Sequence, residues 1–336
     1  MEHLILDEFG TFLSKRSERL VVKKNGQVAL EVPFANVEQV TIACPGVGLS
    51  TDFLRECVEH GIQINFVSSS GSPYAKIVSP NLVGTVMTRR EQLAAYSDVR
   101  GAELGRAFVM GKVHNQANVL RYFAKHRKES DPVMYESLYD AASRIDSVRR
   151  EIDRLGGTTI DELRPQLLSI EGRAATHYWE CLKKLVSSKV DFPGREHREA
   201  TDPLNSMLNY GYGILYHTVW GAVILAGLDE FAGFIHVDRP GKPSLVLDLV
   251  EEFRPHLIDR PLIVAVLRGM RIGMDKQGLT LETRREIAER IGERLEAQDT
   301  YDGKKLALKA IIQRQARAVA AHVRREGRYR AFVAGW

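Results

Sequence analysis

Residues 233–255, GFIHVDRPGKPSLVLDLVEEFRP, gather side chains that can do chemistry into a short apolar frame. His236 ends the apolar run Gly233-Phe234-Ile235, and Asp248 and Glu251 follow 12 and 15 residues later. Two residues three apart share a helix face. The intervening Pro-Gly-Lys-Pro turn can fold the chain back, so a helix starting near Ser244 brings both carboxylates toward the imidazole. Imidazole and carboxylates held together suit a divalent metal. The neighbouring Arg239 and Lys242 suit a phosphate-bearing substrate. Glu252 falls about 100° away from Glu251 around the helix and is expected in solvent. The competing reading of His236 is a hydrogen-bonded core histidine.

A second candidate is Glu171, in LLSIEGRAATHYWECLKKL. Leu167, Leu168, Ile170, Ala174, Ala175, Tyr178, Leu182 and Leu185 form an apolar stripe, and Glu171 lies on or beside it. A carboxylate there costs several kcal/mol unless it is paired or metal-bound. The alternative to a metal is an ion pair with an arginine. Gly172, next in sequence, would admit close approach of another backbone or of a ligand. Asn205, Asn209, Tyr210, Tyr212 and Tyr216 in DPLNSMLNYGYGILYHTVW read as core and interhelical hydrogen bonding. Arg89, Arg90 and Gln92, and the basic cluster from Arg314 to Arg330, are either phosphate contacts or solvated faces. No Walker loop, GxGxxG after a strand, HExxH or GxSxG occurs, which leaves ATP, nicotinamide and serine-hydrolase readings unsupported.

The elements that must position these residues fall into two parts of an α+β chain. Residues 1–80 read as a small β-rich domain suited to packing or dimerisation. HLILDEF and TFLSK flank Gly10 as a hairpin would, and RLVVKK and QVALEVPF flank Asn25-Gly26, a strong hairpin signal. Leu49–His60 reads as a short helix capped by Ser50 or Thr51 and closed by Gly61. Residues 81–89 are the expected linker. Residues 90–336 read as a larger all-α domain, with helices over 90–122, 131–155, 159–186, 202–225, 245–252, 262–270, 283–298 and 304–325, and a break at Pro255 among others.

Composition sets the outer bounds. The 336 residues are 44% hydrophobic and 27% charged, ordinary for a globular protein of two or so domains. Net charge is +4, from 47 Lys and Arg against 43 Asp and Glu, so any nucleic-acid footprint is local. The three cysteines, Cys44, Cys57 and Cys181, lack CxxC spacing, which points to no disulfide framework and to a reducing, cytoplasmic setting. No apolar run approaches the roughly 20 residues that span a bilayer, so no membrane is expected.

Taken in order, IEGRAATHYW, DPLNSMLNYGYGILY and GFIHVDRPGKPSLVLDLVEEFRP resemble the motif series of the CRISPR-associated endonuclease/integrase of spacer acquisition, the Cas one family. GTFL, VPFANVEQV, RREQ and the tail KLALKAIIQRQARAVAAHVR extend the resemblance over essentially the whole chain. It implies the same two-domain α+β fold and a metal triad of Glu171, His236 and Glu251. Asp248 matches an acidic position that is either a ligand or an orienter of His236. The resemblance further implies Mg²⁺ or Mn²⁺ as cofactor and a homodimer that joins a small partner, Cas two. Its implied substrate is double-stranded DNA, both spacer precursor and CRISPR repeat. The activity expected is attack of a DNA 3′-OH on a phosphodiester, with Arg239, Lys242, Arg90 and Arg254 as DNA-phosphate contacts. The basic run that often precedes the DP-N motif is here interleaved with acids, FPGREHREATDPLN, which weakens the case for DNA contact by Arg195 and Arg198. The rival readings are a stand-alone nuclease on branched repair intermediates and a non-catalytic DNA-binding scaffold.

Overall fold

A computed structural model describes residues 2–67, 73–77, 86–125, 127–196, 201–276 and 278–336. Two four-stranded sheets form the N-terminal part. In the first, β1 (Glu2–Leu6) pairs in parallel with β5 (Val37–Ile42), β5 in parallel with β7 (Gln63–Val67), and β7 antiparallel with β8 (Pro73–Ile77). In the second, β2 (Thr11–Arg16), β3 (Arg19–Lys24) and β4 (Gln27–Pro33) form an antiparallel meander, with β6 (Gly48–Leu49) parallel to β2. Leu6, Leu13, Leu20, Val22, Val40, Ile64, Phe34 and Phe53 make the core of this part.

The turn at Asn25-Gly26 is a hairpin, as expected. Lys24 pairs with Gln27, and both turn residues have positive φ (51° and 79°), the twist that matches the flanking strands. The hairpin expected around Gly10 does not form, because β1 and β2 belong to different sheets. Gly10, at φ 76°, turns the chain from one sheet to the other. The parallel pairing of β5 and β7 requires a crossover. That crossover contains α1 (Thr51–Glu59), whose first turn is capped by Ser50 Oγ accepting from Phe53 N at 3.2 Å.

The larger part is built on a single extensive core that runs from Ala95 to Ala334. Its helices are α2 (Val86–Ala95), α3 (Val99–Ala124), α4 (Pro132–Arg149), α5 (Ile160–Val186), α6 (Pro203–Leu225), α7 (Ser244–Val250), α8 (Arg260–Leu267), α9 (Leu281–Glu296) and α10 (Leu308–Val323). This part is not purely helical, since β9 (Met274–Asp275) pairs with β10 (Gly278–Leu279) and β11 (Gln298–Tyr301) with β12 (Lys304–Ala307). Of the expected linker, 81–85 lie outside the described residues and 86–89 are already in α2.

Other expected boundaries move for local reasons. The helix expected over 90–122 is two, because Asp98 leaves helical geometry and caps α3, accepting from Arg100 N at 2.9 Å. Pro255 does not stop the chain. It opens a π-helical segment, Pro255–Asp259, that runs directly into α8. A proline at the start of such a segment gives up an N–H that needs no partner there. The segment expected to be helical from 304 begins as β12, held by its pairing with β11. Asp131, Thr159 and Asp202 start α4, α5 and α6 as side-chain caps, Thr159 through a reciprocal capping box with Glu162.

The two parts meet where Arg285 of α9 pairs with Asp7 at 2.6 Å and Glu8 at 3.0 Å. A cavity of about 560 Å³ lies at this junction between β1 and α9. Its lining mixes Asp7, Glu8, Lys24, Arg284 and Glu289, with no histidine, and it lies away from the residues singled out for chemistry. No helix among the described residues is long and apolar enough to cross a membrane.

Candidate metal centre

Four elements converge on one small pocket, lined by Phe108, Val109 and Lys112 from α3, Glu171 from α5, Ile235 and His236 from the loop before α7, Asp248 from α7 and Glu251 just after it. The triad expected from sequence is therefore gathered in one place. Glu171 and His236 are 65 positions apart, with the rest of α5 and all of α6 between them.

The loop carrying His236 is pinned from several directions. Gln92 of α2 donates to the carbonyls of Asp229 (2.8 Å) and Ala232 (2.7 Å) and accepts from Asp229 N (2.8 Å). Ser244 Oγ accepts from Gly233 N at 2.9 Å, and its single proton has the Phe231 carbonyl and Asp238 Oδ1 as acceptors. Arg164 of α5 donates to the Phe234 carbonyl at 2.9 Å. A Cβ at Gly233 would come within 2.6 Å of the Ser244 backbone, so this close approach needs glycine.

Asp248 is the hub. One carboxylate oxygen accepts from Phe234 N (2.6 Å) and Ile235 N (3.0 Å), and the other accepts from His236 N (2.8 Å) and lies 2.8 Å from His236 Nδ1. The side chain is fully buried. A carboxylate beside Nδ1 fixes the tautomer with the proton on Nδ1, leaving the Nε2 lone pair available as a ligand. Of the two roles expected for Asp248, these contacts match the orienter of His236, since four N–H groups already occupy its oxygens.

The two glutamates are held by cations. Lys112 reaches Glu171 Oε1 and lies 2.6 Å from Glu251 Oε2. Arg254 pairs with Glu251 Oε1 at 2.5 Å and stacks over the Tyr212 ring at 4.8 Å. Burial alone would raise the Glu251 carboxyl, but Arg254 and Lys112 outweigh it and hold the group down at about 2. Burial likewise opposes charge on Lys112, and the Glu251 and Glu171 carboxylates outweigh it, so the ammonium is raised above its usual range. The ion-pair alternative for Glu171 is thus realised, with a lysine in place of the expected arginine. Beyond its own helix, Gly172 has no described atom within 4 Å of where a Cβ would stand, so no other backbone makes the close approach expected there.

These residues fit a divalent cation by their chemistry. Two carboxylates and an oriented imidazole face one pocket, and the buried Glu251 Oε2 has the Lys112 ammonium 2.6 Å away. Their donor atoms do not all come within 4.8 Å of one another; among the described residues that spacing is met by Glu18, Glu56 and His60 in the N-terminal part. Glu171 and Glu251 are instead spread around the Lys112 ammonium.

The expected phosphate contacts divide. Arg239 and Arg90 are exposed, and Arg239 and Lys242 face each other across a short bridge next to the His236 loop. Arg254 is half-buried and already engaged by Glu251 and Tyr212. Arg195 donates to Asn205 (2.7 Å) and Asn209 (2.5 Å) and stacks near Tyr212 and Trp179, so the DP-N motif works as a helix cap and arginine clamp. Arg198 lies outside the described residues. Glu252 is not in solvent. It is fully buried and accepts from Tyr329 Oη (2.5 Å), Phe332 N (2.9 Å) and Gln315 Nε2 (3.0 Å), and burial pushes its carboxyl up to about 7.

Sequence reasoning missed Lys112, Asp259 and the C-terminal tail. Lys112 stands four residues after Phe108 on the buried face of α3, a signal as visible as that of Glu171. Asp259, pushed up to about 6 by burial, accepts from Tyr212 (2.5 Å) and Tyr178 (2.9 Å) beneath Arg254.

Residues 4–290 match the family model described as CRISPR associated protein Cas1. The chain belongs to the Cas1 family. It is 36% identical over 346 residues to a CRISPR-associated endonuclease Cas1 of Archaeoglobus fulgidus, covering 99% of each chain. Among solved structures it resembles a casposase bound to integration product, with TM-score 0.81 and 22% identity over 98% of this chain and 93% of that one. It also resembles a chain of a Cas6-RT-Cas1–Cas2 complex, with TM-score 0.78 and 20% identity over 98% of this chain and 36% of that larger one. At these identities the two structures speak to fold, and this Cas1-family chain shares theirs along nearly its full length.

Proposed function

We propose that this chain is a metal-dependent DNA integrase and endonuclease that inserts short DNA segments into a CRISPR array. The observation that carries the reading is the convergence of Glu171, His236 and Glu251 on one pocket, with Asp248 orienting the imidazole. Membership of a family whose relatives are named CRISPR-associated endonucleases supports it, as does the shared fold of a casposase bound to integration product.

Glu171, His236 and Glu251 would hold Mg²⁺ or Mn²⁺, with the imidazole favouring Mn²⁺. Such an ion, when bound, lowers the pKa of an attacking hydroxyl and offsets charge on phosphoryl oxygens. The protein's own part is orientation and charge. Asp248 keeps the His236 proton on Nδ1, while Phe108, Val109 and Ile235 wall the pocket with apolar surface. Arg239 and Lys242, three and six residues after His236, would meet the phosphates of a DNA backbone passing the His236 loop. The 3′-OH of an incoming segment would attack a target phosphodiester, forming a new P–O bond as the target's own P–O3′ bond breaks and its oxygen leaves as a 3′-OH; water in its place would give hydrolysis, so both activities share these residues. A homodimer joined to Cas2 is the assembly this reading carries, supported by the fold shared with the chain of a Cas1–Cas2 complex.

The test is strand joining of a labelled 3′-OH oligonucleotide to a repeat-bearing duplex with Mn²⁺. His236→Ala should abolish joining with fold and dimer intact, and joining at the wild-type rate would refute the triad. A branched substrate that yields only hydrolysis products, with or without Cas2, would favour the repair-nuclease reading. DNA binding with no products, and no change on adding EDTA, would favour a scaffold.

A further inference from the structure

The pocket contains a cation of its own, and that shapes how a metal can enter. Lys112 rises from the middle of α3 into the space between Glu171 and Glu251, with only 15% of its side chain exposed. It touches one oxygen of each glutamate, Glu171 Oε1 and Glu251 Oε2. An ion held by both carboxylates would compete with the ammonium for them. The far oxygen of Glu251 is committed to Arg254, which is itself anchored on Tyr212.

We propose that Lys112 is the resident counter-ion of this site: its ammonium holds Glu171 and Glu251 together in the metal-free protein and is displaced from these carboxylates when a divalent cation loads. The inference rests on the metal reading of Glu171, His236 and Glu251.

Two physical arguments carry it. Two carboxylates brought to one half-buried pocket repel, and without a cation between them the metal-free site would splay or take up a proton. The ammonium removes that repulsion, so the site stays assembled before any metal arrives. An ammonium and a divalent ion cannot then sit together on the same carboxylates, because two cations would repel at contact distance in a poorly solvated pocket. Lysine suits a role that ends in movement. Its charge sits on a flexible four-carbon stem with no fixed fork geometry, whereas Arg254 is planar, stacked and bidentate-capable, and stays. The cost of moving the ammonium lowers metal affinity in the absence of DNA. A DNA phosphate gives the displaced ammonium a new partner, so metal and DNA should bind with positive coupling.

The test is Mn²⁺ binding to the full chain, followed by electron paramagnetic resonance of free Mn²⁺, in wild type, Lys112→Met, Lys112→Gln and His236→Ala. Lys112→Gln keeps hydrogen-bond donors without charge and serves if Lys112→Met does not fold. The charge-free variants should bind Mn²⁺ at least about tenfold more tightly than wild type. They should melt at a lower temperature without metal and gain more from saturating Mn²⁺. His236→Ala should lose the site in every background. Unchanged or weaker Mn²⁺ affinity in the Lys112 variants, with binding still dependent on His236, would overturn the counter-ion role and leave the metal site standing. Mn²⁺ binding indifferent to His236 would overturn the metal reading, and this inference with it.

Discussion

Replacing Asp248 by Asn changes two atoms' chemistry and almost no volume, yet it should disable the site. The carboxylate accepts from three consecutive backbone N–H groups and faces His236 Nδ1 at 2.8 Å, all through two oxygens. An amide offers one oxygen and one NH₂ group. If the oxygen stays with Phe234 and Ile235, the NH₂ meets His236 N–H and forces Nδ1 to accept. The imidazole proton then moves to Nε2, which removes the lone pair that would face a metal. If the amide is flipped, the tautomer survives and two backbone N–H groups lose their acceptor instead. Either way at least one hydrogen bond to a charged acceptor is lost and a buried donor is left unpaired. We therefore expect about 3 kcal/mol less stability in urea unfolding. Mn²⁺ affinity should fall 10- to 100-fold, the usual cost of removing an outer partner of a ligating histidine. Strand joining should fall at least as far. Wild-type Mn²⁺ affinity in a folded Asp248→Asn protein would refute the orienting role. A loss of stability with metal affinity retained would make Asp248 a loop anchor alone.

Three further expectations follow from contacts outside the pocket. Deleting 329–336 removes Tyr329 and Phe332 from Glu252 and unstacks Phe332 from Phe253 (5.4 Å), so unfolding should become easier by at least about 4 kcal/mol; an unchanged urea midpoint would refute this. Burial pushes His256 from 6.5 down to about 4, so the unfolded chain takes up this proton first as pH falls; the stability fully present above pH 6.5 should drop by about 3 kcal/mol toward pH 4, and His256→Gln should flatten that part of the profile. EDTA should leave far-UV circular dichroism unchanged, since Lys112 and Arg254 already balance Glu171 and Glu251, and loss of helix signal on chelation would show a metal needed for folding.

The chemistry of the site was legible in the sequence to the extent that it lies in short-range patterns. The spacing of Asp248 and Glu251, the Pro-Gly turn behind His236 and the apolar stripe around Glu171 each needed only local geometry. The Asn25-Gly26 turn was legible for the same reason. What escaped depends on partners far away in the chain. Nothing near Gly10 says that β1 prefers β5, 31 or more residues on, to the adjacent β2. Glu252 looked solvent-facing because helix geometry alone turns it from Glu251. Its partners Gln315, Tyr329 and Phe332 come from 63 to 80 residues downstream, where the tail folds back over α3. Lys112 was missed because a single lysine among apolar residues is ordinarily read as snorkelling to water.

Glu251 and Glu252 show how closely the pocket and the scaffold are joined. They are adjacent, just after α7 ends at Val250, and they face opposite worlds. Glu251 points to Lys112, Arg254 and the pocket, while Glu252 is buried under the tail. Asn115, one turn beyond Lys112 on α3, donates to the Glu252 carbonyl (2.7 Å) and to the Phe332 carbonyl (2.9 Å). The same short stretch of α3 therefore supplies both the cation that holds Glu251 and the amide that locks the backbone of the next residue. Three residues later the π-helical segment re-aims the chain so that Asp259 receives Tyr178 and Tyr212, the ring on which Arg254 rests. A change in the tail or in Asp259 should then be felt at Glu251 without touching it. On the metal reading the sensitive readout is Mn²⁺ affinity, since a carboxylate shifted by a fraction of an ångström leaves the fold intact but changes how it can share an ion with His236 and Glu171.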